Sequence, residues 1–216
     1  MTVSRERYEQ LFEVIKGRRS VRSFDTTPVS GDDLTAVLEA ARWAPSPGNR
    51  QPWRFIISSD RCLSEMEEAV RSAVAKIREA ALEKGLPGEA DYLENFLVFT
   101  RSPTVVAVIM REPVDLIEAI TDGGSPIEAD QPLVDAAASA GAAIQNMLLA
   151  CHALGLGACW TTGPLVARLE LEKILDVPRG WRLAALVAVG YPLGEETEEP
   201  SRRPLDKLLL EPKGKK

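Results

Sequence analysis

Three arginines and a hydroxyl fall within five residues at Arg18, Arg19, Ser20, Val21 and Arg22. A planar guanidinium offers a bidentate fork to oxyanions and a serine hydroxyl adds a short donor, so this cluster is chemically suited to holding a phosphate. Charge runs of this size also occur as plain solvated faces. Two features weigh against that blander reading. The chain is acidic, with 26 basic and 32 acidic residues and a net charge of −6, so a basic cluster is a local device and not part of a general attraction to nucleic acid or anionic lipid. The glycine-rich phosphate loops are also missing. No GxGxxG follows a strand and no GxxxxGK[ST] occurs, so a phosphate would have to be held by arginines. Arg202 and Arg203 supply a second basic pair near the other end of the chain.

Other chemistry is sparse. There is no HExxH and no GxSxG. The three cysteines, Cys62, Cys151 and Cys159, form no CxxC pair, which fits a reducing compartment and leads to the expectation of a cytoplasmic protein. The segment MTVSRERYEQ lacks the apolar core of a signal peptide, and no apolar run approaches the ~20 residues that span a bilayer. His152, the single histidine, has no cysteine or carboxylate at ligand spacing, so it reads as a packing or capping residue and no metal is expected.

The elements that must position these groups follow from periodicity. Tyr8, Leu11, Phe12 and Ile15 mark a helical stripe that stops at Gly17, directly before the cluster. Ser30 reads as an N-cap for a helix burying Leu34, Val37, Leu38 and Ala41, which must end before Pro45. Pro45 to Pro52 is a rigid turn-rich loop, either a connector or a presenter of backbone groups to a ligand. Trp53 to Ser58, Thr104 to Met110 and Trp181 to Val189 read as strands. Between them, Arg61 to Lys84 reads as a charged helix with Met66, Val70, Val74 and Ile77 inward. Asp91 to Thr100 is expected to be helical, and Arg111 to Pro132 loses periodicity, as in a lid or binding loop. Val134 to Leu154 is apolar around nearly its whole circumference and rich in alanine, so it should be buried on all sides, as a central core helix, a subunit interface or both. Ala158 to Gly163 should be a short extended segment. With 216 residues, all of this fits one domain.

RRSVRSF, then AARWAPSPGNRQPWRFI, GLGACWTTGPL, VAVGYP and RRPLDKLL occur in that order. In motif identity and order, from about Phe12 to Leu210, the chain resembles the FMN-dependent nitroreductase family. The resemblance implies an α+β fold: a nitroreductase-like three-layer sandwich with a mixed, mostly antiparallel sheet covered by helices, and a C-terminal extension exchanged in a homodimer. It implies one domain over 1–216, with a variable lid at about 85–130 and an arm at about 191–216. By the same resemblance Arg18, Arg19 and Ser20 hold the FMN phosphate and ribityl chain, and Arg22 approaches the N1/O2 edge of the ring. Pro45, Ser46 and Pro47, with Asn49 nearby, come from the other subunit; Thr161, Thr162 and Gly163 face flavin N5 by backbone or hydroxyl; and Arg202 closes on the phosphate. Trp160 packs in the core or beside the ring. The implied activity is NAD(P)H oxidation with reduction of nitroaromatics, quinones or similar small acceptors by ping-pong hydride transfer through flavin N5. No side chain is nominated as general acid or base. Two alternatives stand beside it: a reductive dehalogenase of halotyrosine-like substrates using one-electron flavin chemistry, and a non-catalytic flavin-binding dimer.

Overall fold

β2 (Thr104–Arg111) is apolar without interruption from Val105 to Met110, and these residues are buried on both faces of a sheet. A strand of that composition has to be central. It is: the four-stranded sheet has the order β1-β2-β4-β3, with β1 (Trp53–Ile57) and β4 (Trp181–Gly190) flanking β2, and β3 (Gly157–Thr161) at the edge beyond β4. All three pairings are antiparallel. The computed structural model describes residues 5–58, 60–85, 92–112, 131–194 and 199–210.

Helices cover both faces. On one side lie α2 (Gly31–Arg42) and α4 (Gln131–Ala153), whose Val37, Ala41, Ala140, Ile144 and Met147 pack on Val106, Val108, Val187 and Val189. On the other lie α3 (Asp60–Glu83), α5 (Arg168–Ile174) and the 3-10 segment Glu94–Arg101, with Met66, Val70, Phe99 and Leu171 against Val105, Ala107 and Leu186. α2 begins as its sequence requires: the Ser30 hydroxyl accepts a hydrogen bond from the Asp33 amide at 3.0 Å, satisfying one of the orphan donors of the first turn. α1 (Arg5–Gly17) ends at the expected glycine.

Several expectations need correction. Ile77 is 39% exposed, whereas Met66, Val70 and Val74 are buried as expected. Within the stretch expected to be helical, Glu94–Arg101 is a 3-10 helix; Asp91 lies outside the described residues. α4 is long and apolar enough to span a membrane by length and composition, contrary to the reading that no such run exists. It is nonetheless built into the core, and Asn146 donates to the Ala40 carbonyl of α2 at 3.1 Å. α4 is also not buried on all sides of a single chain, since Val134, Ala137 and Ala138 are exposed. Most of the expected lid, residues 86–91 and 113–130, lies outside the described residues. The described tail, 199–210, is exposed throughout and carries Leu205, Leu208, Leu209 and Leu210 into solvent.

Candidate functional site

The arginine cluster leaves α1 and runs directly onto the free edge of β3. Ser20 forms a parallel bridge with Ala158, and the Val21 amide donates to the Ala158 carbonyl at 3.0 Å. This short parallel contact is the only mixed element in the described sheet. Farther on, Phe24 bridges Pro192, the Asp25 amide donates to Tyr191, and the Leu193 amide donates back to Ser23. The edge hydrogen bonds of β3 are thereby used to fix the register of residues 18–23, and strand edges exist to be paired in this way.

β3 can start beneath the cluster because α4 stops abruptly. Gly155 adopts the left-handed region (φ 76°), and the Leu156 amide reaches back to the Cys151 carbonyl at 2.8 Å, the 6→1 bond of a Schellman termination. A groove of about 660 Å³ opens there, walled by Arg18, Arg19, Ser20, Arg22, Gly157 and His152. Among the described residues, no carboxylate lines it. Arg19 turns its guanidinium onto the Lys16, Gly17 and Arg18 carbonyls at 2.5, 3.0 and 3.1 Å, so it caps α1 while bordering the groove. Arg22 donates to the Ser20 carbonyl at 3.2 Å. Burial pushes the Cys159 thiol up, against the opposing pull of the Arg22 and Arg18 charges, so both cations project their field across β3.

A second cavity, about 440 Å³, lies at the other end of β3 and is bordered by Trp160 and Thr162. Ala158, Trp160 and Thr162 alternate along one face, and Ala158 and Thr162 are separated by roughly 13 Å of extended chain. Thr161 is buried and its hydroxyl donates to the Leu186 carbonyl at 3.0 Å, so it braces the sheet. Thr162 is exposed and borders the cavity, with Gly163 next to it, where an added Cβ would run into the Phe96 ring.

Other expected site residues lie apart from both cavities. Pro45, Ser46, Pro47 and Asn49 form a braced loop in which the Ser46 hydroxyl accepts from the Gln51 amide at 2.9 Å. Gly48, Asn49 and Gln51 have φ of 59°, 52° and 47°, left-handed positions that cost a non-glycine residue roughly 1–2 kcal/mol each. Among the described residues, Arg202 donates to the nearby Pro200 and Ser201 carbonyls. The tail is nevertheless anchored near the groove by the Lys16–Glu199 ion pair at 3.3 Å, and Arg202 follows three residues later, within roughly 11 Å of chain.

Trp160 is not a core residue: it is 42% exposed and lies against α4, where a Cβ at Gly141 would be 3.4 Å from its ring. His152, in the last turn of α4 as expected, packs on Gly17, where a Cβ would come within 2.5 Å of its Nε2, and borders the groove.

The Nitroreductase family model matches residues 15–191. An Archaeoglobus fulgidus relative, whose name describes an NADH dehydrogenase/NAD(P)H nitroreductase, is 28% identical over 191 residues, covering 87% of this chain and 88% of its own length. The iodotyrosine deiodinase of Thermotoga neapolitana is 27% identical over 184 residues, covering 85% and 89%. Among solved structures, a BluB-like flavoprotein from Clostridium difficile aligns with TM-score 0.78 at 26% identity, covering 94% of this chain and 99% of the other. A Bacteroides fragilis nitroreductase with bound FMN aligns with TM-score 0.64 at 26% identity, covering 90% and 95%. The family match takes in the arginine cluster, the sheet and the β3 edge together, and the chain belongs to the nitroreductase family.

Proposed function

We propose that this chain is an FMN-dependent NAD(P)H oxidoreductase acting on small acceptors of the nitroaromatic or quinone type. The observation that carries the reading is the groove at the β3 edge, where Arg18, Arg19, Ser20 and Arg22 meet the glycine turn. The residues fit FMN. The groove volume lies in the ordinary range for a cofactor site, the arginines suit a phosphate, and Gly157 lets Val21 and its flanking residues pack down on β3.

Bound FMN would supply two-electron acceptance from a nicotinamide and delivery to an acceptor. The chain's own residues position and polarise. Arg18 and Ser20, with Arg19, hold the phosphate end; Arg22 places a cation where negative charge accumulates on the ring, a preorganised electrostatic term. The Thr162–Gly163 backbone faces the reactive edge, since the Thr161 hydroxyl is engaged by Leu186. Pro45, Ser46, Pro47 and Asn49 act across a homodimer, in which α4 and the leucine-rich tail cover apolar surface that a single chain leaves exposed. Arg202 closes on the phosphate from the tail. Specificity between acceptors rests with residues around the 440 Å³ cavity.

The deiodinase reading is favoured by one observation, the exposed Thr162 hydroxyl beside the cavity. The test of the main reading is direct. Purified protein should be yellow, with FMN released on denaturation, and should bleach under anaerobic NADH or NADPH; a colourless protein that takes up no FMN defeats it. Turnover of nitroaromatics but not of halotyrosines separates the two chemistries.

A further inference from the structure

Gly163 has no room for a side chain, because the Phe96 ring occupies the space a Cβ would take, with Cγ and Cε1 only 2.7 and 2.8 Å from that position. Gly163 is not among the glycines with positive φ, so a glycine is required here for close approach and not for backbone freedom. It opens the 3-10 segment Gly163–Ala167, in which the Leu165 amide donates to the Thr162 carbonyl at 3.0 Å. Phe96 is itself held from several directions. It packs on the layer that contains Leu93, Phe99 and Leu171, and Tyr92 meets its ring edge-on, with centroids 5.6 Å apart and planes at 81°, a favoured aromatic geometry. Glu94, between the two rings in sequence, is tied to Arg78 of α3 at 2.7 Å.

We propose that Phe96 is a positioning residue for the reactive edge: its ring stands behind Gly163 and sets where the Thr162–Gly163 backbone lies, while Tyr92 holds the ring in orientation. The functional part rests on the flavin reading above, which assigns that backbone to the reactive edge; the packing of Phe96 on Gly163 does not. Phe96 lines neither the arginine groove nor the 440 Å³ cavity, so it acts through the backbone alone. A close-packed planar ring transmits its position to the chain it touches, and a shift of about 1 Å beside reacting atoms costs up to about 100-fold in rate. The arginine cluster sits at the opposite end of β3, which separates the two effects: a change at Phe96 alters placement at the reactive edge and leaves the hold on the phosphate intact.

The test compares the full chain with Phe96→Leu and Tyr92→Ala. Tyr92 is 62% exposed, so the second variant keeps the fold and decides the matter if the first does not fold. Three quantities are read: amide exchange at residues 161–165 in cofactor-free protein, FMN affinity by fluorescence titration, and the flavin's midpoint potential with its rate of anaerobic bleaching by NADH or NADPH. In Phe96→Leu, exchange at 162–165 should rise above that of the rest of the sheet layer. FMN affinity should stay within about twofold, as for independent sites, while bleaching slows at least about tenfold and the potential moves. Tyr92→Ala should shift the same quantities in the same direction by less, with an unaltered melt. Unchanged exchange overturns the proposal, as does faster exchange with unchanged bleaching and potential. Affinity and bleaching that fall together also overturn it, by showing general loosening of the site. Protein that takes up no FMN defeats the cofactor reading alone, because exchange still decides whether Phe96 holds the Thr162–Gly163 turn.

Discussion

Gly157 and Val21 are packed so closely that a Cβ on residue 157 would lie 2.8 Å from the Val21 side chain. Val21 sits in the middle of the arginine cluster and donates its amide to Ala158, one residue farther along β3. The glycine therefore sets how near the cluster can come to the sheet edge.

Gly157→Ala should lift residues 20–22 off β3, weakening FMN binding and destabilising the fold by the ~1–3 kcal/mol of an overpacked contact. Val21→Ala in the same chain should restore part of both losses, because the clash is with that side chain. Fluorescence titration with FMN and thermal melts on the two variants read this coupling. Additive losses would show that the two residues act separately.

The arginines should divide by what they touch. Arg22→Ala is expected to weaken FMN binding by ~1.5–3 kcal/mol, the range of a charge-assisted contact. Arg19 bonds to three carbonyls at the end of α1, so Arg19→Ala should lower thermal stability as well as affinity. Unchanged FMN affinity in Arg22→Ala would remove it from the site.

Thr161 and Thr162 are neighbours with opposite roles. Thr161→Val deletes the bond to the Leu186 carbonyl inside the sheet and should cost about 0.5–1.5 kcal/mol of stability in a denaturant melt. Thr162→Val changes an exposed side chain and should leave the melt unaltered while changing the acceptor profile. The reverse pattern would mean that the Thr161 hydroxyl serves the ligand.

What the sequence disclosed about this architecture depended on how local the signal was. Ser30 announced its helix because an N-cap is a contact with the residue three positions on, and the unbroken apolar run of β2 announced a central strand because burial on both faces leaves no polar alternation. The place of the arginine cluster was legible only through the ordered motifs; the Ser20–Ala158 bridge joins residues far apart in sequence, and no periodicity reports it. The exposure of Trp160 depends on where α4 crosses β3, and an aromatic has no local pattern that says which side of such a crossing it occupies. Composition alone likewise left α4 as a core helix, an interface or both, because it does not separate the two.

Cys151 offers a prediction in which pH is the variable. It lies on the buried face of α4, in the core, and burial pushes its thiol from the ordinary 9.0 up to about 12. The folded protein thus holds this proton more tightly than the unfolded chain. Its contribution to stability is fully present below pH 9.0 and is lost as pH rises from there toward 12, with a slope approaching about 1.4 kcal/mol per pH unit. Cys159 shifts in the same direction, so the two add to an alkaline decline. In Cys151→Ala the melting curve should start lower at neutral pH, because a buried group has been deleted, yet fall less steeply above pH 9. Alkylation should follow the same order: at pH 8 the half-buried Cys62 reacts first in native protein, and Cys151 only after unfolding. A native Cys151 that labels as fast as Cys62 would mean that the α4 core opens on the timescale of the reaction.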